Sequence, residues 1–244
     1  MHPNQPSHPV SQGALTRRRL LQLSGLSGAG LLLSGCRSTL FSKELDQTFE
    51  PLNQRVEELL LRPQSPVPEF PVSAIEPDKL LINTFDNTPQ LDPTTFRLSI
   101  EGDVNLPMQL SMTDLQKMPL TSMVIRHVCV EGWAAIVQWG GVRLRDLAVL
   151  AQPKPEARYV YFQSADGYYE SWDLASSLHP QTLMVYQKNG QPLSVENGAP
   201  IRLASPIKLG YKQSKWVTRV IFTSQLMAQT GYWEDRGYEW FAGL

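Results

Sequence analysis

The sequence predicts a mixed α+β domain dominated by strands, and three observations carry that expectation. Short runs of alternating or β-branched character are set apart by Gly, Pro and Asn. The helical patterns between them are brief. No apolar run in this part approaches the roughly 20 residues of a membrane-spanning helix.

Taken in order, Phe96-Arg97-Leu98-Ser99-Ile100 alternates as a half-buried strand does, and Glu101-Gly102-Asp103 supplies the turn after it. Ser111-Met112-Thr113-Asp114-Leu115 reads as a helix start with Ser111 or Thr113 as cap, since either hydroxyl accepts from a first-turn N–H. A strand over 123–130 delivers Cys129 at its end. A short amphipathic helix is expected over 141–150, built on Leu144, Leu147 and Leu150. An aromatic, β-branched strand follows over 159–163, with Asp166-Gly167 as a turn. Further strands are expected over 183–186, 201–204 and 216–222.

The N-terminal part has a different character. Thr16-Arg17-Arg18-Arg19-Leu20-Leu21 precedes an uncharged stretch over 23–33, the order of a positive n-region and a short apolar h-region. The paired arginines resemble a twin-arginine export signal, and Leu33-Ser34-Gly35-Cys36 resembles a lipobox whose cysteine takes lipid. Twin-arginine export carries folded proteins, often with a cofactor already inserted. The expected organisation is a signal with lipobox over 1–36, a tether and Pro-rich approach segment over 37–77, and a globular domain over 78–244. One short helix is expected over 53–61, before Pro63, Pro66 and Pro68 favour an extended path. A periplasmic or other extracytoplasmic, lipid-tethered protein follows.

A net charge of -1 with 18% charged residues leaves no basic footprint for nucleic acid. Of the two cysteines, Cys36 belongs to the signal, so Cys129 is the one thiol left to the domain. One thiol cannot build a disulfide framework, a Cys-rich zinc site or an iron–sulfur cluster. Cys129 is then a buried hydrophobe, a nucleophile, or a single thiolate ligand to a soft metal whose other ligands come from a cofactor.

Arg126-His127-Val128-Cys129-Val130-Glu131-Gly132-Trp133, followed by Trp139-Gly140-Gly141-Val142-Arg143-Leu144, resembles the molybdenum-binding segment of the sulfite oxidase-like molybdopterin oxidoreductases. Asn197-Gly198-Ala199-Pro200-Ile201-Arg202-Leu203 and Gly210-Tyr211-Lys212-Gln213-Ser214-Lys215-Trp216-Val217 are similar to that family's downstream cofactor-binding segments, in the same order. Asn83-Thr84-Phe85-Asp86-Asn87 resembles its early cofactor-contacting segment, although relatives carry Tyr-Glu in place of Asp86-Asn87. The likeness points to the bacterial exported branch that includes periplasmic protein-methionine-sulfoxide reductases.

The resemblance implies molybdenum held by one pyranopterin dithiolene, with Cys129 as the protein's thiolate ligand and catalytic residue. It implies cofactor contacts from Asn83, Phe85, His127, Ser164, Asn197, Arg202, Gly210, Lys212, Gln213, Ser214 and Lys215. Oxygen-atom transfer follows, most simply reduction of methionine sulfoxide or a similar S- or N-oxide. No Cys-x-x-Cys-His haem site is present in the sequence. Electrons therefore come from an external donor, a membrane haem protein or a quinol-linked carrier. Tyr168, Tyr169, Trp172 and Tyr232 are the expected aromatic mouth for an uncharged sulfoxide. A monomer is expected, because related sulfite oxidases bring a further dimerisation domain. Two alternatives stand beside this: a sulfite-oxidising enzyme of the same family, and a cofactor-free exported lipoprotein acting as a binding or assembly module.

Overall fold

The computed structural model describes Val56, residues 65–84 and residues 86–244. The signal and lipobox over 1–36, the tether before Ser65 and the helix over 53–61 lie outside the described residues, Val56 aside, as does Phe85. Among the described residues no helix is long and apolar enough to cross a membrane.

Two sheets form the body. The first holds β1 (Arg97–Gly102), β2 (Met108–Ser111), β5 (Tyr159–Ser164), β6 (Tyr169–Asp173) and β10 (Val217–Thr223), in the order β2-β1-β10-β5-β6. The second holds β3 (Thr121–Val128), β4 (Ala134–Arg143) and β7 (Leu183–Lys188) in that order. Short β8 (Gln191–Pro192) and β9 (Arg202–Ala204) share the far edge of β7. Among the described residues only β1 and β10 pair in parallel, Ser99 opposite Arg219, so the second sheet is threaded between two neighbours of the first. Among the elements whose ends are described, three short α-helices accompany them: α1 (Met112–Lys117), α2 (Leu144–Ala151) and α3 (Leu174–Ser177). The strand-rich α+β class is as the sequence predicts.

Alternation places the side chains. On β7, Met184 enters a core with Leu98, Ile100, Leu147, Phe162 and Val220, while Leu183 and Val185 enter a second core with Met123, Ile125, Val137 and Trp139. The second sheet is thus buried on both faces. Each such aliphatic side chain stabilises by about 1.5–3 kcal/mol. Ser111 caps α1 as expected, in a reciprocal capping box with Asp114.

Two expectations need correction. The helix expected from Gly141 begins only at Leu144, because Gly141, Val142 and Arg143 pair with Val185, Met184 and Leu183. A Cβ at Gly141 would collide with the Met184 carbonyl, so glycine is what lets β4 and β7 close at this bulge. Leu150 is exposed, and Ala148 and Ala151 take the buried positions beside Leu144 and Leu147. Strands β2, β4, β6 and β8 go beyond the sequence reading. The motif strand stops at Val128, which puts Cys129 in the turn after it.

Glu69 and Phe70 lie against β3, the edge strand, and Val67 is held by the Gln181 side chain. Phe70 N–H donates to Val124 O at 2.9 Å, and the Glu69 carboxylate accepts from Val124 N–H at 3.3 Å. Glu76 accepts from Ile136 N–H at 3.1 Å. A sheet edge is thereby covered, and the chain arrives at residues 80–84 beside Cys129.

Candidate active site

Cys129 opens the β3–β4 turn. Its N–H donates to Trp133 O at 2.9 Å, its carbonyl accepts from Gly132 N–H at 3.1 Å, and Gly132 adopts a positive φ of 90°. The half-buried thiol stands 3.6 Å from Glu131 Oε2, and burial pushes its pKa up. That same Glu131 oxygen accepts from Asn83 Nδ2 at 2.8 Å and Trp133 Nε1 at 2.9 Å. These groups line a cleft of about 360 Å³.

His127 precedes it on β3 and lines the same cleft, as alternation about Val128 predicts. Its ring stacks on Trp133 with centroids 5.9 Å apart. Burial, with Arg202 nearby, lowers its pKa to about 3, so the imidazole is neutral; Gln213 opposes that shift. A Cβ on Gly210 would lie 2.9 Å from His127 Nε2, which fixes how closely the 205–215 loop presses on the β3 end. Arg126 is exposed and lies over Phe70, 5.2 Å from the ring.

Two cations line the same cleft. Arg202 is buried over Trp139, 4.8 Å from the ring, and donates to Asn197 O and Gln213 O at 3.2 Å each. Burial lowers its pKa to about 10, which leaves it charged at neutral pH. Lys215 bridges the Glu196 and Asn83 carbonyls and lies over Trp216. Burial, then Arg202, brings it down to about 8. Asn197, Gln213 and Ser214 also line the cleft. Gln213 spends its amide on the loop, donating to Ser205 O and Lys208 O at 2.9 and 2.8 Å.

Asn83, His127, Cys129, Asn197, Arg202, Gly210, Gln213, Ser214 and Lys215 therefore meet in one cleft. Two expected cofactor contacts do not join them. The Lys212 side chain turns inward, where Glu170 and Glu234 hold it. Ser164 ends β5 in the turn to β6, buried and outside the cleft lining, because Tyr168 O and Gly167 N–H close a hairpin on its backbone. Tyr169 and Trp172 also leave the expected aromatic mouth; Trp172 is core. In their place stand Tyr211, Trp233 and Tyr238 beside Tyr168 and Tyr232. The aromatic run Tyr232-Trp233 to Tyr238 was the signal in the sequence for that wall.

Among the described residues no cluster of three or more His, Cys, Asp or Glu could hold a metal. A metal at Cys129 thus needs ligands from a cofactor. The donors present suit a pterin phosphate: Arg202 and Lys215 supply charge. The Ser214 hydroxyl and His127 Nδ1 are buried with no hydrogen-bond partner among the described residues, as groups awaiting a polar ligand would be.

The fold and this cradle define a pterin-binding redox domain. The chain belongs to the oxidoreductase molybdopterin-binding domain family, whose model matches residues 85–233. It is a molybdenum-molybdopterin oxidoreductase. It is similar to an Azospira oryzae protein provisionally named protein-methionine-sulfoxide reductase subunit YedZ1, with 36% identity over 93% of this chain and 87% of that one. It is also similar to the protein-methionine-sulfoxide reductase catalytic subunit MsrP of Campylobacter jejuni, with 34% identity over 57% of this chain and 52% of the relative. The sulfane dehydrogenase SoxCD of Paracoccus pantotrophus shares the fold, at a TM-score of 0.57 and 22% identity over 66% of this chain and 49% of that one.

Proposed function

We propose that this chain reduces an uncharged sulfoxide, methionine sulfoxide first among them, with two electrons from an external donor. The carrying observation is the lining of the cleft. Arg202 and Lys215 are its cations among the described residues, and both are engaged with backbone carbonyls, while Glu131, Asp166 and Glu196 add negative charge. With Arg202 and Lys215 committed to the cofactor phosphate, an anion such as sulfite would find little positive charge left there. A sulfoxide finds Tyr168, Tyr211, Tyr232, Trp233 and Tyr238.

When bound, a molybdenum-pterin supplies two-electron oxygen-atom transfer. Cys129 would hold the metal through its sulfur, and metal charge would keep that thiol deprotonated. Arg202, Lys215, Ser214 and Asn197 would hold the pterin and its phosphate, with Gly210 letting the backbone approach. Glu131 fixes the turn by tying Cys129 to Asn83 and Trp133. The names of the relatives, a subunit and a catalytic subunit, support a separate electron-donating partner, a membrane haem protein or quinol-linked carrier. The Arg17-Arg18 and Leu33-Cys36 signatures support twin-arginine export and a lipid anchor in the periplasm.

The test is elemental analysis of protein from a cofactor-competent host beside Cys129→Ser. Stoichiometric molybdenum in the wild type that is lost in the variant is expected. No metal in either overturns the assignment of Cys129. Viologen-driven sulfoxide reduction is expected to outpace sulfite-dependent acceptor reduction, and the reverse order overturns the substrate.

A further inference from the structure

Lys212 lies between Tyr211 and Gln213, which line the cleft, yet its ammonium points inward and meets Glu170 Oε1 and Glu234 Oε1 at 2.5 Å each. It also donates to Ser171 O at 3.1 Å. All three side chains are buried, and each carboxylate keeps its other oxygen without a hydrogen-bond partner among the described residues. One ammonium needs one carboxylate. A second in a dry interior is costly, so its position calls for a reason.

The three residues come from three parts of the molecule. Glu170 belongs to β6, Lys212 to the loop that carries Gly210 and Ser214, and Glu234 to the strap 230–244. Glu234 starts the single turn Glu234–Arg236, with Tyr232 and Trp233 just before it and Tyr238 just after. Those rings pack on one another, Tyr232 on Trp233 at 5.2 Å and Trp233 on Tyr238 at 5.1 Å. At Gly231, any Cβ would run into the Glu170 and Glu234 carboxylates, so the strap is pressed onto the cluster. A second lysine of the same loop, Lys208, donates to Phe241 O at 2.5 Å and meets Asp173 at 3.3 Å.

We propose that the Lys212–Glu170–Glu234 cluster is a positioning device that fixes the 230–244 strap, so that Tyr232, Trp233 and Tyr238 form the substrate wall of the cleft and select which sulfoxides enter. This rests on the functional reading above. Lys212 is here a positioning residue that acts through Glu234, in place of the cofactor contact expected from its motif.

Glu234→Ala in the molybdenum-loaded full chain is the test, because Lys212 keeps Glu170 as its carboxylate partner. Amide exchange over 230–240 is expected to speed up about tenfold while β3 and β4 stay protected. Molybdenum content is expected to stay unchanged. The KM for a methionine-sulfoxide peptide is expected to rise about tenfold, with kcat and the KM for dimethyl sulfoxide within about twofold of wild type. Glu234→Gln keeps the acceptor and restores both the exchange rate and the peptide KM. Unchanged exchange in Glu234→Ala overturns the fastening. Faster exchange with both KM values unmoved, or with molybdenum lost, overturns the selective wall. Wild-type protein that loads molybdenum but reduces no sulfoxide overturns the functional reading, and the exchange arm still decides the fastening.

Discussion

Lys212 and Lys215 stand three residues apart on one loop and face opposite worlds. Lys212 is fully buried against two carboxylates. Lys215 looks into the cleft, held by two neutral carbonyls and an indole face, and burial lowers its pKa to about 8. The first has its counter-charge inside the protein. The second makes no carboxylate contact and feels Asp166 and Glu196 only across the cleft, which leaves its ammonium for a ligand. The lesson is that a lysine's role follows from where its negative partner resides, and the 210–215 motif alone does not say.

The largest expected break in that contrast is in stability. Lys212→Met strands Glu170 and Glu234 together and should cost about 3–5 kcal/mol by urea denaturation. Lys215→Met loses bonds to two carbonyls and should cost only about 1 kcal/mol. Equal losses would erase the distinction.

Next comes cofactor retention. Lys215→Met and Arg202→Lys should each release molybdopterin about tenfold faster, since a charge-assisted phosphate contact is worth roughly 1.5–3 kcal/mol. Release is measured by gel filtration and molybdenum analysis. Retention at the wild-type level would move the phosphate away from this wall.

The pH dependence sharpens the comparison with a sign for each flank. Lys215 sits near 8 when folded against 10.5 as its ordinary value, so between them the unfolded chain binds more protons and stability rises with pH. Glu170 is held well above 4.5, chiefly by burial, so above 4.5 the folded chain binds more protons and stability falls as pH climbs. Denaturation midpoints of apoprotein against pH should show both limbs. Glu170→Gln should flatten the acid limb and Lys215→Met the alkaline one. Loading molybdopterin should erase the alkaline rise, because a phosphate beside Lys215 lifts its pKa.

The smallest effect belongs to Ser164→Ala. Its hydroxyl is buried without a partner among the described residues and lies outside the cleft lining. Molybdenum content should not change, and stability should stay within about 1 kcal/mol or rise slightly. Loss of the metal would return Ser164 to the cofactor.

Much of the site was legible because its chemistry is local. The turn after β3 is short enough for His127, Cys129, Glu131 and Trp133 to read as one unit, and the 197–217 segments keep their donors in order. The fold class was legible for a similar reason, since period-two patterns such as Phe96-Arg97-Leu98-Ser99-Ile100 mark strands directly, although β1 runs on through Glu101 and Gly102 where a turn was expected. Strand β4 escaped notice because its glycines read as punctuation, whereas the sheet uses them where two backbones come close. The 230–244 strap escaped because nothing local says that Glu234 will find Lys212.

By itself the sequence determined the single domain thiol, the cations available to a phosphate, and the absence of a basic footprint, since these depend only on which residues are present. Tertiary structure decided which lysine serves the cleft, where Ser164 and Trp172 go, and which aromatics form its wall. Those outcomes turn on burial and on charges brought together from 42 and 22 residues away along the chain, and long-range electrostatic pairing in a dry interior leaves no periodic trace in a sequence.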